Sequence, residues 1–161
     1  MIAGVLKETF PGERRVAVVP SAFPLLTKGG VEVVLESGAG VAAGFPDGVF
    51  KDKGARIVGS RAEVLDASRV LLQVRPLAGG GSGIEGVDAR HVLVGLLDPL
   101  GAPAGIQTLA ARGVTAFALE LIPRITRAQS MDVLSSAASR GSSTNLAPRL
   151  STCSLTAGRT S

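Results

Sequence analysis

The sequence predicts an α/β fold whose central sheet is mostly parallel and has about six strands. Short apolar segments without polar alternation recur along residues 1–120, and segments with helix-capping and helix-ending residues lie between them. Of the 161 residues, 45% are hydrophobic, which is enough for a packed core. Strands buried on both faces have continuous apolar sequences, and strands that alternate with helices form parallel sheets. We therefore expect a three-layer, Rossmann-like (flavodoxin-like) domain.

The first half of this pattern contains three predicted strands and three predicted helices. The strands are expected at 2–7, 31–36 and 55–58, and the helices at 21–28, 47–53 and 60–68. Ser21 and Asp47 are expected to cap the first two helices, because short polar side chains accept hydrogen bonds from free backbone N–H groups. The third helix begins with a capping box, in which Ser60 precedes Glu63 by three residues. Right-handed crossovers should connect the strands.

The second half of the pattern continues the alternation up to about residue 120. Strands are expected at 69–74, 91–97 and 114–120, and a helix at 103–112 with Pro103 in its first turn. The glycine-rich stretch "LAGGGSGIEG" (77–86) lacks the Lys-Ser/Thr and the following helix of a phosphate-binding loop, and its composition favours a flexible surface loop. Residues 139–161 are rich in Ser, Thr and Arg and have no apolar period. We expect a domain at 1–138 and a poorly ordered tail.

Composition excludes several classes of function. No apolar run reaches the ~18 residues of a membrane span, and the N-terminus has no secretory signal, so we expect a cytoplasmic protein without membrane insertion. Cys153 is the single cysteine, which excludes a disulfide framework, and no metal site is predicted. The net charge is +4, of which the arginines of the tail carry three. Because Trp and Tyr are absent and no basic stripe is present, nucleic-acid binding is not expected.

The segment "ESGAGVAAG" (36–44) is close to a dinucleotide-binding fingerprint. Gly38, Gly40 and Gly44 follow a predicted strand, but the last spacing is one residue too long. "FPDG" comes next, so no helix opens on these glycines to offer its free N–H groups to a pyrophosphate. A tight glycine turn is the favoured interpretation, and a cofactor loop is the alternative.

The segment "RITRAQSMDVLSS" (124–136) concentrates polar side chains after the last strand. A helix is expected at about 127–138, in which Gln129, Asp132 and Ser135 share one face, with Arg124 in the turn before it. Together they offer a guanidinium fork, an amide, a carboxylate and a hydroxyl. A nicotinamide carboxamide needs a donor for its carbonyl and an acceptor for its NH₂ group. The alternative is an ordinary surface helix with a solvated polar face.

A family resemblance bears on this choice. The string "LELIPRITRAQSMDVLSS" resembles the signature loop of the alpha subunit of proton-translocating NAD(P) transhydrogenase. The resemblance extends to "KETFPGERRVAVVP", "ESGAGVAAGFPD" and "GLLDPLG", and covers residues 1–138. Alanine dehydrogenases share the same N-terminal domain. The resemblance therefore implies nicotinamide chemistry.

The resemblance also implies roles, cofactors and partners. Arg124, Asp132 and Ser135 would hold the carboxamide, and Gln129 would lie near the hydride path, so that Gln129 and Asp132 are the expected catalytic residues. NAD(H) would be bound mainly by a following domain that this sequence lacks, so tight binding to this chain alone is not expected. NADP(H) would sit on a separate component. The implied partners are the NADP-binding and membrane components, with a homodimer in the complete subunit located at the inner membrane through those partners.

The alanine dehydrogenase relatives imply a second set of residues. Arg15 and Arg75 match positions that hold a substrate carboxylate there and are candidate anion-binding residues, although Gln73 replaces a lysine nearby. Those relatives place a proton-transferring histidine where this sequence has Asp98, and the single histidine, His91, is expected to be structural. This favours transhydrogenase. An alanine-dehydrogenase-like fragment and a non-catalytic module that only binds partner subunits are the alternatives.

Overall fold

A computed structural model of the chain describes residues 1–77 and 82–122, which form a six-stranded parallel sheet with flanking helices. The strands are β1 (Ile2–Val5), β2 (Glu32–Glu36), β3 (Arg56–Val58), β4 (Val70–Leu72), β5 (Val92–Gly95) and β6 (Thr115–Ala118). Their order in the sheet is β3-β2-β1-β4-β5-β6, and every neighbouring pair is parallel. The predicted fold class is confirmed.

Four α-helices lie where the sequence predicts them. They are α1 (Phe23–Lys28), α2 (Asp47–Lys51), α3 (Arg61–Ala67) and α4 (Pro103–Ala111). Short 3₁₀ turns add Pro20–Ala22, Val41–Ala43, Ser82–Ile84 and Leu119–Leu121. The elements are mostly a residue or two shorter at each end than predicted, because helix and strand ends depend on contacts that the local pattern does not contain.

Two of the three predicted N-caps are wrong. Ser21 lies inside a 3₁₀ turn, and α1 begins after Ala22 without a side-chain cap. Pro24 occupies the second position of α1 and has no N–H to donate, which removes one of the groups that a cap would bind. Asp47 is the first residue of α2, and Pro46 is its N-cap. The capping box of α3 is confirmed, since Ser60 accepts from the Glu63 backbone N–H.

The core divides into one apolar cluster on each face of the sheet. One cluster joins α3 and α4 to the strands and includes Leu6, Val34, Val64, Leu65, Leu71, Leu93 and Leu109. The other joins α1 and α2 to the strands and includes Val5, Val33, Leu35, Phe23 and Phe50. Because alternate strand residues point to opposite faces, Val34 belongs to the first cluster while Val33 and Leu35 belong to the second.

The glycine-rich connection between β4 and β5 is more than a surface loop. Leu77 and Ile84 are both buried in the cluster beneath α3 and α4. The prediction of a flexible surface loop is wrong for these residues, because the apolar side chains that flank the glycines reach the core. Residues 78–81 lie outside the described part of the chain, as does the tail at 139–161, so the expectation of a poorly ordered tail stays a prediction.

Within residues 1–77 and 82–122, no helix combines the length and the hydropathy needed to cross a bilayer.

Candidate functional site

The topology places a crevice at the carboxyl ends of β1 and β4. The chain runs outward from β1 to β2 and β3, then returns to pair β4 with the other side of β1 and continues outward to β5 and β6. Ligands of open α/β sheets bind outside the carboxyl ends of the strands at such a reversal of strand order. Residues that follow β1 and β4 are therefore the first candidates for a functional site.

Glu8 joins the two chain segments that leave β1 and β4. Its Oε1 accepts a hydrogen bond from the Val74 backbone N–H at 2.5 Å, and its Oε2 accepts from the Arg75 N–H at 3.1 Å. Burial raises the pKa of the Glu8 carboxyl, and the two backbone hydrogen bonds partly oppose that effect. Glu8 thus fixes the backbone that carries Arg75, although its sequence pattern gave no indication of this role.

Arg75 and Arg15 both lie beside Glu13. The Arg15 guanidinium donates to the two carboxylate oxygens of Glu13 at 2.7 and 2.6 Å. These bonds are the main cause of the lowered pKa of Glu13, and the charge of Arg75 acts in the same direction. The Arg75 guanidinium carbon lies 4.3 Å from the centroid of the Phe10 ring, a cation–π contact.

This arrangement limits what the two arginines offer to a ligand. The fork of Arg15 already binds the Glu13 carboxylate in the way that it would bind the carboxylate of a ligand. An incoming anion would therefore compete with Glu13 for Arg15, whereas Arg75 stacks on a ring and keeps its donors for other partners. Anion binding by Arg15 and Arg75 stays a prediction.

Arg61 and Gln73 form a second polar pair that the sequence did not single out. Arg61 Nη2 donates to the Gly83 carbonyl and to Gln73 Oε1, the latter at 3.4 Å. Gln73 is fully buried directly after β4, and burial lowers the pKa of Arg61. Among the described residues, Gln73 Nε2 and Arg61 Nε and Nη1 have no hydrogen-bond partner. A cation in the first turn of a helix is unfavourable, and that was the available signal.

The glycine segment after β2 forms a turn, as predicted, and its polar groups bind within the protein. The Gly38 N–H donates to both carboxylate oxygens of Asp47, at 2.9 and 3.2 Å, and Ser37 Oγ donates to the same carboxylate at 2.7 Å. No helix begins on the glycines; a 3₁₀ turn follows them. The described residues therefore supply no grip for a dinucleotide pyrophosphate at this turn.

Asp98 lies at the carboxyl end of β5 and holds a turn. Its Oδ1 accepts from the Gly101 N–H at 3.1 Å, and its own N–H donates to a carboxylate oxygen of Glu120. Its φ of 45° lies in the left-handed region, which Asp tolerates better than most residues. These contacts give Asp98 a structural role in a position where a proton-transferring histidine would need to be free to move.

His91 is buried, and both of its ring nitrogens are bonded. Nδ1 accepts from the Asp88 N–H at 3.1 Å, and Nε2 lies 3.0 Å from the Leu65 carbonyl, to which it donates. Because Nδ1 accepts a hydrogen bond from the backbone, the pattern requires the neutral ring with its proton on Nε2. The structure agrees with the expected structural role of His91.

The residues expected to orient nicotinamide lie outside the described part of the chain. They are Arg124, Gln129, Asp132 and Ser135. The last described residue, Ile122, follows the 3₁₀ turn Leu119–Leu121 at the carboxyl end of β6. The chain therefore enters this segment from the same edge of the sheet that carries Glu8 and Arg75.

Comparison with known proteins decides the family. The sequence model of the alanine dehydrogenase/PNT N-terminal domain matches residues 4–140. The chain belongs to this family. It is 38% identical over 139 residues to an NAD(P) transhydrogenase subunit alpha of Rhodospirillum rubrum, a match that covers 84% of this chain and 36% of the relative.

Two solved structures are similar to this family member. A transhydrogenase from Sinorhizobium meliloti superposes with a TM-score of 0.78 and 40% identity, covering 86% of this chain and 40% of that chain. An L-alanine dehydrogenase superposes with a TM-score of 0.66 and 29% identity, covering 74% and 32%. This chain thus corresponds to the N-terminal portion of a transhydrogenase alpha subunit, and it spans little more than a third of the length of such relatives.

Proposed function

We propose that this chain contributes the nicotinamide-orienting loop for hydride transfer between NAD(H) and NADP(H), coupled to proton translocation, in an NAD(P) transhydrogenase. The observation that carries the proposal is the string Arg-Ala-Gln-Ser-Met-Asp at 127–132, which follows closely after β6 in a member of this family. The neighbouring edge of the sheet carries a crevice at its strand reversal, where ligands of such folds bind.

The proposed roles follow from the hydrogen-bonding groups of the loop. Arg124 donates to the carboxamide oxygen, Asp132 accepts from the carboxamide NH₂, and Ser135 serves either group. Gln129 lies beside the path between the two rings. The coenzyme supplies the hydride chemistry, and the protein's role is to fix the face and the distance of the reacting carbon.

The chain by itself is proposed to bind NAD(H) weakly or not at all. The glycine turn after β2 uses its Gly38 N–H on Asp47, so it has little to offer a pyrophosphate. The downstream portion of the subunit would supply that grip. Isothermal titration of the isolated chain with NADH tests this, and a micromolar dissociation constant would contradict it.

The partners and the location belong to the same proposal. The complete subunit would form a homodimer and bind an NADP-binding component and a membrane component. Through those components it would be held on the cytoplasmic side of the inner membrane.

An alanine-dehydrogenase-like activity is the second candidate, and Asp98 argues against it. Oxidation of an amino acid moves a proton as well as a hydride and needs a general acid or base. Asp98 is bonded within its own turn, and His91 is buried with both ring nitrogens occupied. Transfer between two nicotinamides needs no such group. A non-catalytic module that only binds partner subunits is the remaining alternative.

The decisive experiment replaces Asp132 in the complete subunit, assembled with its partner components. Asp132→Ala removes an acceptor worth about 1.5–3 kcal/mol to a bound amide, so the hydride-transfer rate should fall about 10- to 100-fold. Asp52→Ala is the matched control, because Asp52 is exposed at the end of α2 and makes no contact with the proposed site. An unchanged rate for Asp132→Ala would remove the proposed role.

A further inference from the structure

One half of a sheet face carries apolar side chains that no described helix covers. Helices α1 and α2 pack over the β1–β3 half of this face, while α3 and α4 pack on the opposite face. The uncovered side chains are Val70 of β4, Val92 and Val94 of β5, and Phe117 of β6. We call these four residues the open face.

The register shows that these four side chains point the same way. Val70 pairs with Val92, and Val94 pairs with Phe117. Their strand neighbours Leu71 and Leu93 are buried in the cluster under α3 and α4, so the open face lies on the other side. None of the four belongs to either core cluster, and Phe117 is 57% exposed.

An uncovered apolar patch on a parallel sheet calls for an occupant. All-parallel sheets occur almost only with both faces covered, because both rows of side chains are apolar. Contiguous exposed apolar surface marks a contact with another element or another chain. Three occupants are conceivable: a later segment of this chain, a second copy of it, or a separate polypeptide.

We propose that residues 127–138 of this same chain dock on the open face as an amphipathic helix. The described chain leaves the sheet at Ile122, directly after β6, which is the outer strand of the open face. The connection 123–126 can span up to ~14 Å, and a helix packs ~10 Å from a sheet. A 12-residue helix is ~18 Å long and ~10 Å wide, which matches three short strands.

The sequence of the segment supplies a matching apolar stripe. Helical spacing places four small or apolar side chains on one side, namely Ala128, Met131, Leu134 and Ala138. Gln129 and Asp132 fall on a different side, so docking by the stripe leaves them free. Residues 139–161 contain no comparable periodic segment. The docking proposal does not depend on nucleotide binding.

Cross-linking in the full chain tests the proposal. In a Cys153→Ser background, Phe117→Cys is combined with Leu134→Cys and treated with a short bismaleimide. The matched control combines Phe117→Cys with Val133→Cys, because Val133 lies off the stripe. We expect an intramolecular cross-link of single-chain mass for the Leu134 pair, at least five-fold more than for the Val133 pair, at every protein concentration.

Other outcomes would overturn the proposal. A cross-linked dimer from Phe117→Cys alone would assign the open face to a second copy. Equal yields for the two pairs would assign it to no ordered segment. A product that forms only once the downstream portion of the subunit is added would assign the face to that portion.

Thermal unfolding gives an independent readout. Leu134→Asp should lower the midpoint by several degrees while Val133→Asp leaves it unchanged, and equal midpoints would contradict docking. Since no nucleotide enters either measurement, failure here is distinct from failure of the proposed function.

Discussion

Replacing Gly40 by alanine is expected to destabilise the domain by about 2–3 kcal/mol. A Cβ at Gly40 would lie 2.4 Å from Phe50 Cε2 and 2.7 Å from the Phe45 carbonyl oxygen. Phe50 is fully buried, and its ring lies 5.8 Å from that of Phe23 and 6.2 Å from that of Phe45, between centroids. Overpacking costs about 1–3 kcal/mol, and we expect the upper half because both a backbone atom and an enclosed ring must shift.

Urea unfolding followed by circular dichroism measures this cost, with Gly48→Ala as the control. A Cβ at Gly48 would meet nothing within 4 Å, and Gly48 lies in α2, where alanine should stabilise by about 0.5–1 kcal/mol. The two variants should therefore shift the midpoint in opposite directions. If Gly40→Ala stays within about 0.5 kcal/mol of the parent, packing against Phe50 is not the reason for glycine in this turn.

Two further predictions concern the cap of α3 and the carboxylates of the crevice. Ser60→Ala should cost about 1 kcal/mol in urea unfolding, whereas Ser60→Thr should cost much less because it keeps the hydroxyl that the Glu63 N–H binds; equal losses would exclude the cap as the cause. The pKa of Glu8 is raised above 4.5, so its contribution to folding is full below pH 4.5 and declines as pH rises through the folded-state pKa. The pKa of Glu13 is lowered, chiefly by Arg15, so its contribution is full above pH 4.5 and is lost as pH falls through the folded-state pKa. The stability difference between the parent and Glu8→Ala should narrow with rising pH, and that for Glu13→Ala should narrow with falling pH; parallel trends would refute the assigned environments.

The crevice at β1 and β4 constrains how a transhydrogenase fragment could retain ligand chemistry. Glu13 already occupies the fork of Arg15, and Glu8 holds the backbone at Arg75. This internal pairing satisfies the charges without a ligand. It is consistent with a domain whose role is to present a loop to a coenzyme bound elsewhere, which is the role we propose.

Local patterns predicted the elements well and their caps less well. The box of Ser60 and Glu63 was readable because both partners lie within one helical turn. Asp47 looked like a cap for the same reason, but its carboxylate binds Gly38, nine residues earlier, across the glycine turn. Ser21 failed because two nearby prolines set the local backbone as a 3₁₀ turn followed by a short helix.

The candidate site was predictable only to a limited extent. Arg15 and Arg75 were found through a family resemblance, and the structure brings both beside Glu13. Glu8 and Arg61 were missed, because their partners Val74 and Gly83 lie 66 and 22 residues away. No spacing rule links residues so far apart before the order of the strands is known.

The sequence alone determined the type and order of the elements, the parallel sheet and the family, because each depends on side-chain patterns within a few residues or on a contiguous string. Only the tertiary structure decided the strand order that joins β1 to β4, the pairing of Glu8 with the backbone at Arg75, and the apolar face left open beside β6. Those features arise where segments distant in the chain meet, and the free energy of such contacts depends on burial and geometry that no local pattern contains.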